Sequence, residues 1–375
     1  MCAFNFTVFL SAFQLFPTAP YRILELGGST VAAGLFVGFL TFGSALSAPF
    51  TGALSDRVGR TRMLVLTSSA LAAFFVAYAF TTRYEVMLAL VALHGIVWSG
   101  LLSASAAQVA DLLPESRRAE GIGYWGFSTI LAITVAPGVG FWMREVGWTL
   151  LCVEGALLNA AMAFSAWWLT RGARAPAAAA HPSGFAQIEW RVVAISVTLF
   201  LYSFGYGGIT SFVAMYADAN HTTPRTLFFI TFSLATVAVR LVTGPLADRV
   251  GHRRIFLPSL AVIVVGYLLL SVGGARAWLI VSGIVFGIGF GAAWPVFTAY
   301  LLQHFAPARR GAVFGGVLAC FDAGIGAGSI ASGWIIGHWG FRAAYLTSAA
   351  LAACSIPYFL AVEKRALPRS TDNTT

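Results

Sequence analysis

The sequence predicts an all-α membrane protein whose twelve transmembrane helices form two pseudo-symmetric six-helix bundles. Three observations carry this expectation. The chain of 375 residues is 58% hydrophobic and only 10% charged. Its apolar residues fall in runs of about 20, the length that spans a bilayer, separated by short basic loops. The second half repeats the first at a fixed separation.

Soluble domains carry about 25% charged residues, so this composition, with a mean hydropathy of +0.81, leaves too little polar surface for a water-soluble fold. A dozen spans of about 20 residues use most of the chain, and no sizeable soluble domain fits beside them. Cys2, Cys152, Cys320 and Cys354 stand singly inside apolar runs. With no paired cysteine and no histidine cluster beside them, they read as small hydrophobes. No metal or other cofactor is expected. The net charge of +9 could suit nucleic acid, but the arginines are scattered through short loops between apolar runs, which membrane topology explains better. The expected surroundings are lipid, not nucleic acid.

In chain order, helices are predicted over 2–24, 30–53, 63–82, 86–110, 121–143 and 148–170, then over 191–217, 225–246, 255–273, 277–302, 312–337 and 341–362. The first reads as a span and not a signal peptide, because it lacks a basic leading segment and further spans follow it. Residues 1–170 form one bundle, 171–190 a cytoplasmic linker rich in Ala and Pro, 191–365 the second bundle and 366–375 a tail. With both termini in the cytoplasm, the inner segments hold Arg57, Arg60, Arg62, Arg117, Arg118, Arg171, Arg174, Arg249, Arg253, Arg254, Arg309, Arg310 and Lys364 among others. The outer loops hold Arg22, Arg83, Arg144, Arg225, Arg276 and Arg342. The inward excess fixes this orientation by the positive-inside rule.

Residues 52–62, GALSDRVGRTR, align with residues 244–254, GPLADRVGHRR, at a separation of 192. The same separation pairs Gly95 with Gly287, Arg117-Arg118 with Arg309-Arg310, and Gly123 with Gly315. One offset shared by three separated regions argues for an internal duplication of a six-helix unit. Such repeats commonly place a substrate site at their interface, near the membrane midplane.

Within the repeated string, Gly52 and Gly59 permit close packing and a positive-φ turn. Asp56 suits a helix N-terminus, and Arg57, Arg60 and Arg62 suit carboxylate or lipid phosphate. Gly244, Asp248, Arg249, Gly251 and Arg254 repeat the pattern. The string G-x-L-x-D-R-x-G-x-x-R resembles the loop signature of the major facilitator superfamily. The resemblance covers nearly the whole chain and implies a transporter working by alternating access, with Asp56 helping to latch the cytoplasmic side of the two halves. A second stretch, from Leu93-His94-Gly95-Ile96 through Asp111 to Tyr124, is similar to the bacterial drug and metabolite efflux branch, although Val91 stands where that branch usually carries an arginine. Ala136-Pro137-Gly138-Val139-Gly140 resembles the antiporter motif of helix five, with alanine in place of its first glycine. Proline removes a backbone donor and glycine allows close helix approach, so Pro137 and Gly140 favour a bend and, through the resemblance, antiport over symport.

Polar residues within the spans are few: Asn5, Gln14, His94, Gln108, Glu154, Arg240 and Asp322. Charged groups at membrane depth usually face a cavity and mark function. By the helices that line the cavity in the resembled family, Asn5, Gln14, His94, Arg240 and Asp322 are expected on the substrate or proton pathway, and Glu154 in a structural role. His94 serves equally well as a hydrogen bond between helices. Trp98, Tyr202, Tyr206 and Trp294 offer stacking faces for an organic solute, or ordinary packing. Gly283, Gly287 and Gly291, spaced by four, read as a helix-packing stripe. Asp322 lies about 15 Å into its helix, near mid-bilayer, where an ionised carboxylate costs about 2.5–3.5 kcal/mol on insertion scales. It is the expected proton carrier, with Arg240 as a candidate partner and a permanently paired, structural Asp322 as the alternative.

These readings point to a monomeric permease of the bacterial cytoplasmic (inner) membrane that exports a small organic solute, a drug or metabolite, in exchange for protons. A uniporter or proton-coupled importer is the alternative. A membrane enzyme would need clustered nucleophiles, metal ligands or paired carboxylates at helical spacing, and no such cluster is visible.

Overall fold

A computed structural model describes residues 1–113, 118–169, 189–305 and 309–367. Among them every regular element is a helix: α1 (Cys2–Glu25), α2 (Thr30–Val58), α3 (Arg60–Phe80), α4 (Tyr84–Leu112), α5 (Arg118–Val146), α6 (Trp148–Leu169), α7 (Trp190–Ala219), α8 (Leu227–Val250), α9 (His252–Val272), α10 (Arg276–His304) and α11 (Arg310–Ala366). At 1.5 Å per residue the 57-residue α11 would be about 85 Å long, far beyond a hydrocarbon layer of about 30 Å. It breaks at Gly340, whose φ of 78° is left-handed and easy only for glycine. Its two arms, 310–339 and 341–366, complete the twelve predicted spans. Gly340 lies 192 residues after Trp148, the first residue of α6.

The outward faces are apolar. Phe80 is 79% exposed and Leu157 65%, and Trp142, Phe164, Trp168, Leu241 and Trp339 are exposed with them. No water-soluble surface carries apolar area on this scale, so these faces meet lipid. Polar groups turn inward, and hydroxyls satisfy themselves on the preceding helical turn, as Thr41 does on Val37 O and Thr67 on Met63 O.

The chain divides into two compact units, Met1–Ala186 and Gln187–Thr375. In the first, α1 packs on α5, α2 on α4, and α3 on α4 and α6. In the second, α7 packs on α11, α8 on α10, and α9 on α10 and α11. The duplication is therefore a duplication of packing within each unit, and it holds at single atoms. A β-carbon on Gly95 would overlap the carbonyl oxygen of Leu40, and one on Gly287 would overlap that of Phe232. Leu40 and Phe232 are themselves 192 residues apart.

Two expectations about the repeated string need correction. α2 runs to Val58 and α8 to Val250, so Asp56 and Asp248 lie in the last turn of a helix and not ahead of the next one. The N-caps of α3 and α9 are Gly59 and Gly251, without side-chain capping; Asp56 is no N-cap. Gly59 (φ 95°, ψ 130°) and Gly251 (φ 96°, ψ 134°) make the same left-handed turn. Gly52 and Gly244, by contrast, have open space where a side chain would stand, so close packing does not require glycine there.

Candidate functional site

In the first unit the buried polar side chains work in pairs across helices. Asn5, 1% exposed, donates from Nδ2 on α1 to Trp125 O at 3.0 Å, Ser128 Oγ at 2.9 Å and Thr129 Oγ1 at 2.6 Å on α5. Nine residues on, Gln14 Nε2 donates to Glu154 Oε1 of α6 at 3.1 Å. Gly140 of the Pro137–Gly140 motif sits against Gln14: a β-carbon there would lie 2.8 Å from Gln14 O and 2.9 Å from its Cα. Its bareness lets α5 close on α1, while α5 continues helically through Pro137.

His94 on α4 is enclosed by aromatic rings of α3. It stacks on Phe74 with centroids 5.6 Å apart and planes 9° apart, and on Tyr78 at 6.0 Å. The Tyr78 hydroxyl meets His94 Nδ1 at 3.1 Å. Tyr78 O in turn accepts from Trp148 Nε1 at 2.9 Å, so one tyrosine ties α3 to both α4 and α6. Trp98 packs edge-on to Phe9 of α1 at 5.8 Å. A shallow apolar depression lined by Phe39, Phe42, Leu46 and Ile96 holds none of these residues.

In the second unit, Tyr202, Tyr206, Arg240 and Trp294 come together. Tyr206 lies 4.3 Å from Phe290 and 5.8 Å from Phe232, ring to ring. Tyr202 stands edge-on to Phe290 at 5.9 Å and to Phe321 at 6.2 Å, and Trp294 edge-on to Phe321 at 6.2 Å. Arg240 Nε donates at 3.2 Å to the carbonyl oxygen of Gly291, the residue after Phe290. Tyr267 fixes α7 to α9 by donating to Tyr202 O at 3.0 Å. The Tyr202 hydroxyl and the Trp294 indole N–H are buried without a partner among the described residues. Asp322 follows Phe321 on α11, half-buried, and is engaged in contacts of its own. The glycine stripe faces α8: β-carbons on Gly283, Gly287 and Gly291 would press on Phe228, Phe232 and Thr236 respectively.

At the end of this unit where α9 begins and α10 and α11 finish, sequence reasoning missed a three-helix clamp. Arg253 Nε lies 3.0 Å from Glu363 Oε1 and 2.9 Å from Oε2, and the Tyr300 hydroxyl donates to Oε1 at 2.5 Å. Glu363 as a whole residue is 8% exposed. No local signal announces it, since the partners are 110 and 63 residues apart. The repeat does not duplicate it either: Thr61, Gln108 and Arg171 stand at the matching positions.

Among the residues of the repeated string, Arg60 Nη1 donates to Ala107 O at 2.9 Å, holding α3 to α4. His252, its counterpart, faces Asp248 at 3.6 Å. Arg57, Arg62, Arg249 and Arg254 are exposed. The side chain of Asp56, like Arg117 and the linker 171–188, lies outside the described residues.

Two six-helix units with lipid-facing apolar exteriors, polar side chains joined across helices and an aromatic cluster around one arginine define a multi-pass membrane transporter. The chain belongs to the Major Facilitator Superfamily, whose sequence profile matches it twice, over residues 1–221 and 195–375. It is 23% identical to an uncharacterized MFS-type transporter of Burkholderia mallei (strain SAVP1), covering 88% of this chain and 83% of that one. It is also 23% identical to the multi-drug resistance efflux pump PmrA of Streptococcus pneumoniae serotype 4, covering 94% and 92%. Among solved structures it is similar to the nucleoside transporter NupG (TM-score 0.77, 16% identity, 97% and 98% covered). The human organic anion transporter MFSD10 gives a TM-score of 0.67 at 18% identity, with 96% and 97% covered.

Proposed function

We propose that the protein exports a small aromatic solute bearing an anionic or acceptor-rich group, in exchange for protons, by alternating access. The observation that carries this reading is the second-unit cluster: aromatic faces of Tyr202, Tyr206 and Phe290, a half-buried cation at Arg240, and two buried donors without partners among the described residues, Tyr202 O–H and Trp294 N–H. Aromatic rings stack on aromatic rings, and guanidinium, phenol and indole donors all seek an acceptor. A buried donor left unmade is costly, so a solute oxygen that meets these donors gains where lipid cannot. In the conformation described the rings of Tyr202, Tyr206 and Phe290 are buried. Solute would reach them when the helices part, as alternating access requires.

The pneumococcal efflux pump among the relatives supports the outward direction. Asp322, at mid-span depth on α11, is the proposed carrier of the exchanged proton, and Asp56 the proposed cytoplasmic latch.

Binding tests the solute site. The purified protein is screened by thermal shift against aromatic carboxylates, nucleosides and hydrophobic dyes, and the best binder is measured against Tyr202→Phe and Trp294→Phe. Each variant removes one donor and keeps a ring. With a hydrogen bond worth about 1 kcal/mol, each should weaken binding about fivefold. Unchanged affinity in both would remove the cluster from the solute site.

A further inference from the structure

The Gln14–Glu154 pair is joined by one hydrogen bond and is missing another. Gln14 Nε2 donates to Glu154 Oε1 at 3.1 Å. The two remaining oxygens of the pair, Gln14 Oε1 and Glu154 Oε2, are both buried, and neither has a hydrogen-bond partner among the described residues. Both are acceptors when Glu154 is ionised, so nothing in the pair can satisfy them. One proton on Glu154 Oε2 changes this: the acid O–H donates to Gln14 Oε1, and the amide and carboxyl groups close into a ring of two hydrogen bonds.

The surroundings support the neutral acid. Gln14 is 1% exposed, and it sits about 18 Å along α1, near the middle of the span. Glycines on the neighbouring helices close the space around it. Gly140 of α5 abuts Gln14, and Gly155, beside Glu154 on α6, leaves no room for a β-carbon against Phe75 of α3.

No cation compensates the carboxylate, since among the described residues Glu154 makes no ion pair. The charged and titratable groups on the elements packed around it are committed elsewhere. Arg22 of α1 pairs with Glu25 and lies over the Trp148 ring. Arg144 of α5 pairs with Glu25 and lies over Tyr21. Tyr78 of α3 engages His94 of α4. Cys152, on α6 itself, is a buried free thiol. An unpaired charge at membrane depth is expensive, and a single proton removes it while supplying the missing donor.

We infer that Glu154 is a proton-binding site, held as a carboxylic acid in a cyclic pair with Gln14. The inference deepens the proton-exchange reading and rests on it only for the use made of the proton; the site itself rests on the geometry of the pair.

Infrared spectroscopy of the purified protein in lipid vesicles at neutral pH tests it. The carbonyl stretch of a protonated carboxyl should be present in the wild type and lost in Glu154→Gln. It should shift in Gln14→Leu, which removes the hydrogen bonds and leaves the acid. If Glu154→Gln does not yield folded protein, the Gln14→Leu shift decides alone. A wild-type spectrum without a band assignable to Glu154, as a charged carboxylate bridged by water would give, overturns the proposal, as does a band indifferent to Gln14→Leu. A second arm measures transport under an imposed pH gradient. Wild-type flux that ignores the gradient refutes exchange while the band still decides the Glu154 site. A missing band refutes the site while leaving exchange with Asp322 as carrier intact.

Discussion

Gly95 on α4 lies so close to Leu40 on α2 that a single added carbon would overlap the Leu40 carbonyl oxygen. The same contact recurs between Gly287 on α10 and Phe232 on α8. The two helix pairs were built by one ancestral packing solution, and each still depends on the absence of a side chain at its glycine.

Gly95→Ala and Gly287→Ala should therefore destabilise the protein, by about 1–3 kcal/mol each, the usual range for overpacking. Gly52→Ala and Gly244→Ala, which add a methyl to open space within a helix, should be neutral or mildly stabilising. Thermal unfolding of the four variants in detergent separates the pairs. Equal shifts for all four would mean that the α2–α4 and α8–α10 contacts relax freely.

The Arg253–Glu363–Tyr300 clamp predicts an asymmetry. The Glu363 side chain is 10% exposed and that of Arg253 47%. Removing the guanidinium strands a buried charge, whereas neutralising the carboxylate frees an arginine that can turn to water. Arg253→Ala should lower stability by more than Glu363→Gln, and adding Glu363→Gln to Arg253→Ala should recover part of the loss. Hydrogen exchange at the end of α11 should rise in the same order. A larger effect from Glu363→Gln would contradict this account of the clamp.

His94 should tolerate replacement by phenylalanine. The ring keeps its stack on Phe74 and Tyr78 but leaves the buried Tyr78 hydroxyl without its partner, a stability cost of about 1–3 kcal/mol that need not touch transport. Transport by His94→Phe at near wild-type rate, with unchanged pH dependence, is the expected result. Loss of transport in a protein that still folds would return His94 to the proton pathway.

For topology, reporter fusions at Ala180 and Thr375 should both be active only for a cytoplasmic reporter, because the basic residues concentrate on that side. A periplasmic signal at either position would break the twelve-span orientation.

The spans and their repeat were legible in the sequence because lipid imposes length and composition on every crossing. Helix ends were less so. Apolar runs stop where the hydrocarbon stops, but α2 and α8 continue for four or five residues through their Asp-Arg pairs until Gly59 and Gly251 turn the chain. Side-chain partnerships were least legible. Asn5 and Gln14 were read as cavity residues from their polarity and helix number, but each is buried against a partner more than 100 residues away. The clustering of Tyr202, Tyr206, Arg240 and Trp294 follows from their shared depth on packed helices, which the span assignment carried. The Glu363 clamp depends on side-chain reach across three helix ends, which no span assignment carries.

Exchange itself is tested most directly in proteoliposomes with an acid lumen, the protein oriented with its cytoplasmic face outward, using the aromatic solute found by the thermal-shift screen. The account predicts saturable accumulation of that solute in the acid lumen above its external concentration, abolished by a protonophore. Solute that merely equilibrates, at a rate indifferent to the pH gradient, would contradict proton exchange and leave the protein a uniporter.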